Sequence, residues 1–498
     1  MSDVQITVHP EARIDRIAPE LHGHFSEHLG RCVYDGLYHD PSSTKTGVRS
    51  DVASLLSALD IPVLRWPGGC FADDYHWEDG IGPQEDRPGR RNLFWAQGRE
   101  ELPEEPNSFG TDEFLQLCEQ IGTEPYLAVN VGSGDPQQAT DWVEYCNYDG
   151  ETELADRRRE NGHPEPYGVK YWGIGNENWG CGGQMTPEQY AREYRKFATY
   201  VGSMDKLLLD HDLELIACGF EGHEWNRRFM EEIGTNAWGV EFPLDHLTLH
   251  HYYGRTITIE EADTDAYDTF LCEALEIESH IERIGAAINA VATTRDIGVI
   301  IDEWGAWHPE AVAESGLEQP GTVIDGVSAA AVLDIFNHHS DVMTMSNIAQ
   351  TVNVLHCLVE TEGENAWARP TYRVFDLYAP HKGNTAVETS IATPTRAVDD
   401  DELPLVGGSA SVADEETYLT LTNLDHASAH AVDVTLTGEV TTNDVSGSLL
   451  FGDQSADTVV NASNEDDFEA TTLDCMTVAD HTLSVELPPL SVAGIAVR

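Results

Sequence analysis

Eight short apolar runs, each ending in polar, aromatic or glycine residues, constrain this 498-residue chain more than any other feature. They are LHGHFSEH at 21–28, IPVLRWPGG at 61–69, PYLAVNVG at 125–132, YWGIGNEN at 171–178, ELIACGF at 214–220, HLTLHHYY at 246–253, IGVIIDEWG at 297–305 and VMTMSNIAQ at 342–350. Helical patterns lie between several of them. Residues 52–59, 112–121, 187–209 and 270–293 space their apolar side chains three and four apart. Thr186-Pro187-Glu188 is a strong helix start, with an N-cap threonine, proline at the first helical position and acid in the first turn. Eight strands alternating with helices predict a (β/α)8 TIM barrel, placed at residues 18–382. The polar residues gather at the strands' C-terminal ends, the face on which such barrels carry their active sites.

The rhythm changes after Pro380. Residues 383–406 read as an acidic linker, and from Gly407 the chain alternates through TYLTLTNL, HAVDVTLTG, HTLSVELPPL and VAGIAVR. Short strands with frequent turns predict an all-β sandwich, jelly-roll-like, formed by 383–498 and joined by the alternating N-terminal segment in 1–17. Three long loops, at 77–109, 147–168 and 306–326, follow strand ends and are placed to wall a pocket, or to serve as subunit contacts.

Charge narrows the partners. With 88 Asp+Glu against 28 Lys+Arg, the net charge is −60. Acid spread so widely repels itself at low ionic strength and is screened at molar salt, where the Debye length is about 3 Å. The composition reads as adaptation to a salt-rich cytosol, as in a haloarchaeon. Nucleic acid and anionic membrane need basic patches and are excluded as partners. The nine Cys are scattered without a C-x-x-C pair, which predicts free or buried thiols and no disulfide framework. Without an apolar leader or a long apolar run, the expectation is a cytoplasmic protein.

Two strand ends carry chemistry. Glu177 ends the fourth run, beside Asn176 and between Trp172 and Trp179, and Glu303 ends the seventh. Either alone reads as a polar strand end or half of a salt bridge. Together they offer the two carboxyl groups of a retaining glycosidase, which sit about 5–5.5 Å apart, one as nucleophile and one as acid then base. Carboxyl groups that close favour one protonated acid beside one ionised nucleophile.

Six stretches, in order, are similar to glycoside hydrolase family 51, the retaining α-L-arabinofuranosidases. They are HGHFSEHLGRCVYDGLY, VLRWPGGCFADDYHWEDGIGP, YWGIGNENWGCGG, LHHYYG, DEWGAWH and MSNIAQTVNVL. The resemblance implies Glu177 as acid/base and Glu303 as nucleophile. It further implies Asn176 on the sugar 2-OH, Glu27 on sugar hydroxyls, Arg65 as the nucleophile's cationic partner, His250 and Tyr252 around that nucleophile, and Gln350 as a sugar contact. Trp304 and Trp307 fit an apolar wall for a sugar's C–H face. His251 is equally a barrel-layer residue, pointing opposite to His250, and Trp77 and Trp95 fit loop packing. Cys70 stands where many members have a substrate-contacting Asn, and a thiol is a weak donor and acceptor there. The implied activity is exo-hydrolysis of arabinan or arabinoxylan oligosaccharides, with no metal or organic cofactor, by a homo-oligomer, commonly a hexamer. A β-xylosidase or endoglucanase on the same scaffold, or a carbohydrate-binding protein without turnover, stays open at this point.

Overall fold

In the computed structural model, the described residues are 3–39, 47–96, 104–209, 212–259, 262, 264–291, 294–414, 416–438, 444–473, 476–479 and 482–498. All eight predicted runs form strands of one closed parallel barrel: Gly23–Phe25, Val63–Trp66, Glu124–Val129, Tyr171–Ile174, Glu214–Ala217, His246–Tyr253, Gly298–Ala306 and Met343–Ala349. The eighth pairs with the first, Ile348 against His24, and closes the ring. Most of these strands are buried on both faces, and so read as apolar runs without alternation. Inside the ring, Val63, Tyr126, Tyr171, Ile216, Ile300 and Met345 form one apolar layer. That layer fills the barrel below the site and separates it from the strands' N-terminal ends.

The helices follow their sequence signals. Thr186 caps Pro187–Met204 with a reciprocal capping box to Gln189. Two predicted helices differ in detail. The run expected to reach residue 209 leaves α-helical geometry after Met204 and continues as a π-turn, Asp205–Leu209. The pattern at 270–293 is two helices, Thr264–Leu275 and Ile277–Asn289, with 292–293 outside the described residues. At their junction the Glu276 amide donates to both Cys272 and Glu273 carbonyls, which tightens the turn.

Ten further strands form one sheet in which Val4–Arg16 lies between Thr385–Ala392, antiparallel, and His430–Leu436, parallel, and six others pair in two-stranded ribbons. A single apolar cluster joins Val4, Val406 and Ile495 to Leu473, Leu483 and Leu487, from strands far apart in the sheet order. The sheet therefore curls over on itself to enclose a core, as a sandwich does. The acidic stretch 383–406 is not a linker. It forms Thr385–Ala392 and a hairpin, Thr395–Val398 with Asp401–Pro404, and its Asp400 to Glu402 are exposed. Charge on the wet face of a half-exposed strand leaves its pairing intact.

Barrel and sheet meet on a buried carboxylate. Asp334, on helix Val323–His338, accepts hydrogen bonds from the Ser409 and Thr420 hydroxyls at 2.7 Å and from Thr422 at 3.1 Å. Asp334→Ala strands three buried hydroxyls and is expected to cost about 3 kcal/mol of stability, Asp334→Asn less. Chemical unfolding of the three proteins in the same salt checks the order.

Candidate active site

A glutamate reaches the pocket from the turn after the fourth strand. Glu177 has a left-handed backbone, φ 42°, which is uncommon outside glycine and points to a functional constraint. Its carbonyl accepts from the Gly180 and Gly182 amides, closing a tight turn behind the side chain. The seventh strand delivers two adjacent carboxylates. Its pairing with the sixth strand skips a residue between Ile301 and Glu303, so Asp302 and Glu303 both face inward.

Opposite charges gather around them. Arg65, at the end of the second strand and almost wholly buried, donates to Glu303 Oε1 at 2.8 Å and to Asn176 Oδ1 at 2.7 Å. Its Nε lies 3.5 Å from Asp302, and its guanidinium carbon stands 4.6 Å from the centre of the Phe25 ring. Burial opposes its charge, yet Asp302 and Glu303 hold Arg65 well above its ordinary range. His250 Nδ1 is 2.7 Å from Glu177 Oε1 and 3.5 Å from Glu303 Oε2, and Nε2 is 3.2 Å from Asp302. Burial again opposes, but Glu303, Asp302 and Glu177 together push its pKa well up, which favours the charged ring among these acids. Tyr252 donates to Glu303 Oε2 at 2.8 Å. One oxygen of Glu177, one of Glu303 and a His250 nitrogen lie within 4.8 Å of one another. That spacing fits a carboxyl pair working on either side of one anomeric carbon.

Glu27 closes the other wall. It accepts from the Phe71 amide and from Trp95 Nε1, both at 3.0 Å, and from Gln350 Nε2 at 3.2 Å. Gly68 and Gly69 permit this crowding: a Cβ on Gly68 would lie 2.4 Å from Glu27 Cγ, and one on Gly69 2.7 Å from Glu303 Oε1. Trp307 stands edge-on to Tyr252 at the rim, with the Arg255 guanidinium 4.2 Å from its ring centre.

Of the expected residues, Glu27, Arg65, Asn176, Glu177, His250, Tyr252, Glu303 and Gln350 converge on this pocket, with Trp307 at its edge. Two do not serve as expected. Trp304 is fully buried on the outer side of the barrel, against Phe336 and Phe375, because it follows inward-facing Glu303 on a strand. Cys70 is no free thiol: it forms a disulfide with Cys181, with Cα atoms 5.6 Å apart. The expectation of unpaired cysteines thus fails at these two positions. Cys32, Cys118, Cys146, Cys218, Cys272 and Cys357 are free, and Cys475 lies outside the described residues. His251 points outward and meets the Glu273 carbonyl.

Two contributors, Asp302 and Asp73, went unread in the sequence, and Trp95, expected as loop packing, instead donates to Glu27 in the pocket. Asp302 sat beside Glu303, where strict alternation would turn it away. Trp95 lies in a long loop without periodicity. Asp73 accepts from the Val131, Gly132 and Asn176 amides at 2.7–3.0 Å. It thereby ties the second, third and fourth strand ends together; burial outweighs those amides and pushes its carboxyl up to about 7. No sequence signal marks such a hub, because its partners are backbone groups. A separate cavity of about 800 Å³ opens at the other end of the barrel, lined by Asp15, Asp245, Arg295 and Asp341 among others, and holds none of these side chains.

The chain is similar to known proteins along most of its length. Residues 55–270 match the family described as alpha-L-arabinofuranosidase 1 domain, and 302–491 the alpha-L-arabinofuranosidase C-terminal domain. An intracellular exo-alpha-L-arabinofuranosidase of Bacteroides ovatus is 36% identical over 466 residues, covering 91% of this chain and 87% of its own. Alpha-L-arabinofuranosidase C of Emericella nidulans is 38% identical, over 72% of this chain and 70% of its own. Among solved structures, the GH51 arabinofuranosidase of Xanthomonas axonopodis pv. citri superposes with TM-score 0.92 at 32% identity over the whole of both chains. The Thermotoga maritima alpha-L-arabinofuranosidase, in an arabinose complex, gives 0.83 at 30% over 99% of each.

The Glu27 carboxyl yields a pH prediction. Burial and then the Glu303 charge push it from 4.5 up to about 7, against the pull of Phe71, Trp95 and Arg65. Between those values the folded state holds a proton that the unfolded state has released, so stability falls as pH rises through that window. Relative to Glu27→Gln, the wild-type protein should lose about 3 kcal/mol between pH 4.5 and 7. Unfolding free energies of both proteins across that range provide the check.

Proposed function

The chain belongs to the glycoside hydrolase family 51 α-L-arabinofuranosidases, and from that premise we propose that it removes terminal α-L-arabinofuranosyl groups from arabinan or arabinoxylan oligosaccharides with retention. The observation that carries the reading is the approach of Glu177 and Glu303 to within 4.8 Å around His250. Glu303, paired with Arg65 and Tyr252, attacks the anomeric carbon. Glu177 protonates the departing glycosidic oxygen, which leaves an arabinosyl–enzyme ester. Glu177 then takes a proton from water, and the water oxygen displaces Glu303. Asn176, oriented by Arg65, serves the sugar 2-OH, and Glu27 with Gln350 serves the hydroxyls on the far side. Trp307 supplies the apolar edge beyond the scissile bond.

The further parts of this reading are also proposals. The catalytic barrel spans 18–382 and the sandwich 1–17 with 383–498, as the pairing of the first strand with 385–392 supports. The net charge of −60 supports work in high salt and a cytoplasmic setting. Homo-oligomeric assembly is supported by exposed Trp238, Leu207 and Leu208, which have no reason to face solvent in so acidic a chain.

Proton NMR of the first-formed sugar should show α-L-arabinofuranose before mutarotation; β product would sink the mechanism. Glu303→Ala should lose at least about 10⁴-fold in kcat. Azide should restore turnover of Glu177→Ala as the α-azide and yield only β-azide with Glu303→Ala. Aryl xylosides and glucosides run alongside test the rival substrates.

A further inference from the structure

The turn that carries Glu177 is held covalently. Cys181, four residues on, is bonded to Cys70, the first residue after Gly69 beyond the second strand. The Cys70 side of this link is itself anchored in the pocket. Phe71 donates its amide to Glu27 and Asp73 receives the Asn176 amide. The cystine therefore joins the segment that binds Glu27 to the segment that presents Glu177. Its sulfur also touches the carboxyl group. Cys181 Sγ lies 3.6 Å from Glu177 Oε2 and 3.7 Å from Asn176 Nδ2. A cystine sulfur carries no hydrogen, so it donates nothing to Oε2; the contact is van der Waals only. Glu177 Oε1 takes the His250 hydrogen bond. Among the described residues no other donor reaches Oε2. One carboxyl oxygen is thus engaged, and the other is pressed against a surface that donates no hydrogen bond.

We propose that the Cys70–Cys181 cystine is a positioning element for general-acid catalysis: it fixes the turn bearing Glu177 and presents a surface without hydrogens to the oxygen that protonates the leaving group. This rests on Glu177 being the acid/base. Reduction by a dithiol transfers two electrons to the cystine. Each sulfur takes up a proton and the dithiol closes to its own disulfide. The result is a freed turn and a Cys181 S–H that competes for Oε2. Both sulfurs are half-buried at the pocket wall, open to such a reagent.

The test uses the full chain and two substrates, 2,4-dinitrophenyl and phenyl α-L-arabinofuranoside, since only the second needs a proton on its leaving group. Wild-type protein is compared with dithiothreitol-reduced protein, its two new thiols counted by alkylation and mass, and with Cys70→Ala/Cys181→Ala. For the reduced protein and the double variant, kcat/KM should fall about tenfold or more on the phenyl substrate and stay within about twofold on the dinitrophenyl one. Reoxidation should restore the reduced protein. Equal losses on both substrates mark a merely structural bond and overturn the proposal, as does no loss on either. Glu177→Gln run in parallel separates the premise: if it shows no difference between the two substrates, the acid/base assignment fails, whatever the cystine does.

Discussion

One buried guanidinium holds the site together. Arg65 bridges Glu303, the neighbouring Asp302 and the side chain of Asn176, and it does so inside a chain of net charge −60. Four carboxyl groups, Glu27, Glu177, Asp302 and Glu303, share this pocket with two cations, Arg65 and His250. Taking such charges from water costs several kcal/mol each, recovered only where geometry is good and every partner is present. That explains why the two cations touch more than one acid apiece, and why Glu27, with the weakest claim on either, has its carboxyl pushed up to about 7. The arrangement gives Glu303 hydrogen bonds from two side chains, Arg65 and Tyr252, and Glu177 one, from His250.

The barrel's architecture was legible because its strand runs are buried on both faces and end in conspicuous chemistry. Glu177 and Glu303 pair in the sequence itself, because a barrel brings strand ends to one face. What alternation misassigned, a bulge explains: the extra residue before Glu303 turns Asp302 inward, and normal alternation then carries Trp304 outward to Phe375. The acidic stretch at 383–406 looked like a linker because charge was weighed above pairing, whereas its acids sit on the wet side of real strands.

Cysteine counting failed for a different reason. Cys70 and Cys181 are 111 residues apart and belong to no spacing motif. They meet because the second and fourth strands end on the same rim, with the third between them, so their bond is a property of the barrel's closure. The same holds for Asp73, whose value lies in three backbone amides from two other loops. Side chains that read side chains leave a trace in sequence; side chains that read backbone leave almost none.

The sheet's first strand carries a consequence for biosynthesis. Gln5 meets Asp433, 428 residues further along the chain. As the polypeptide leaves the ribosome, this strand is made before the barrel and waits for both neighbours until the barrel strands have followed. The barrel, whose strands pair mostly with the next in line, is able to close in the meantime. Closing the remaining loop around a finished barrel is entropically cheaper than around a loose coil. The order of translation and the order of assembly thus run opposite ways for this strand, which is made before the barrel and finds its place after it.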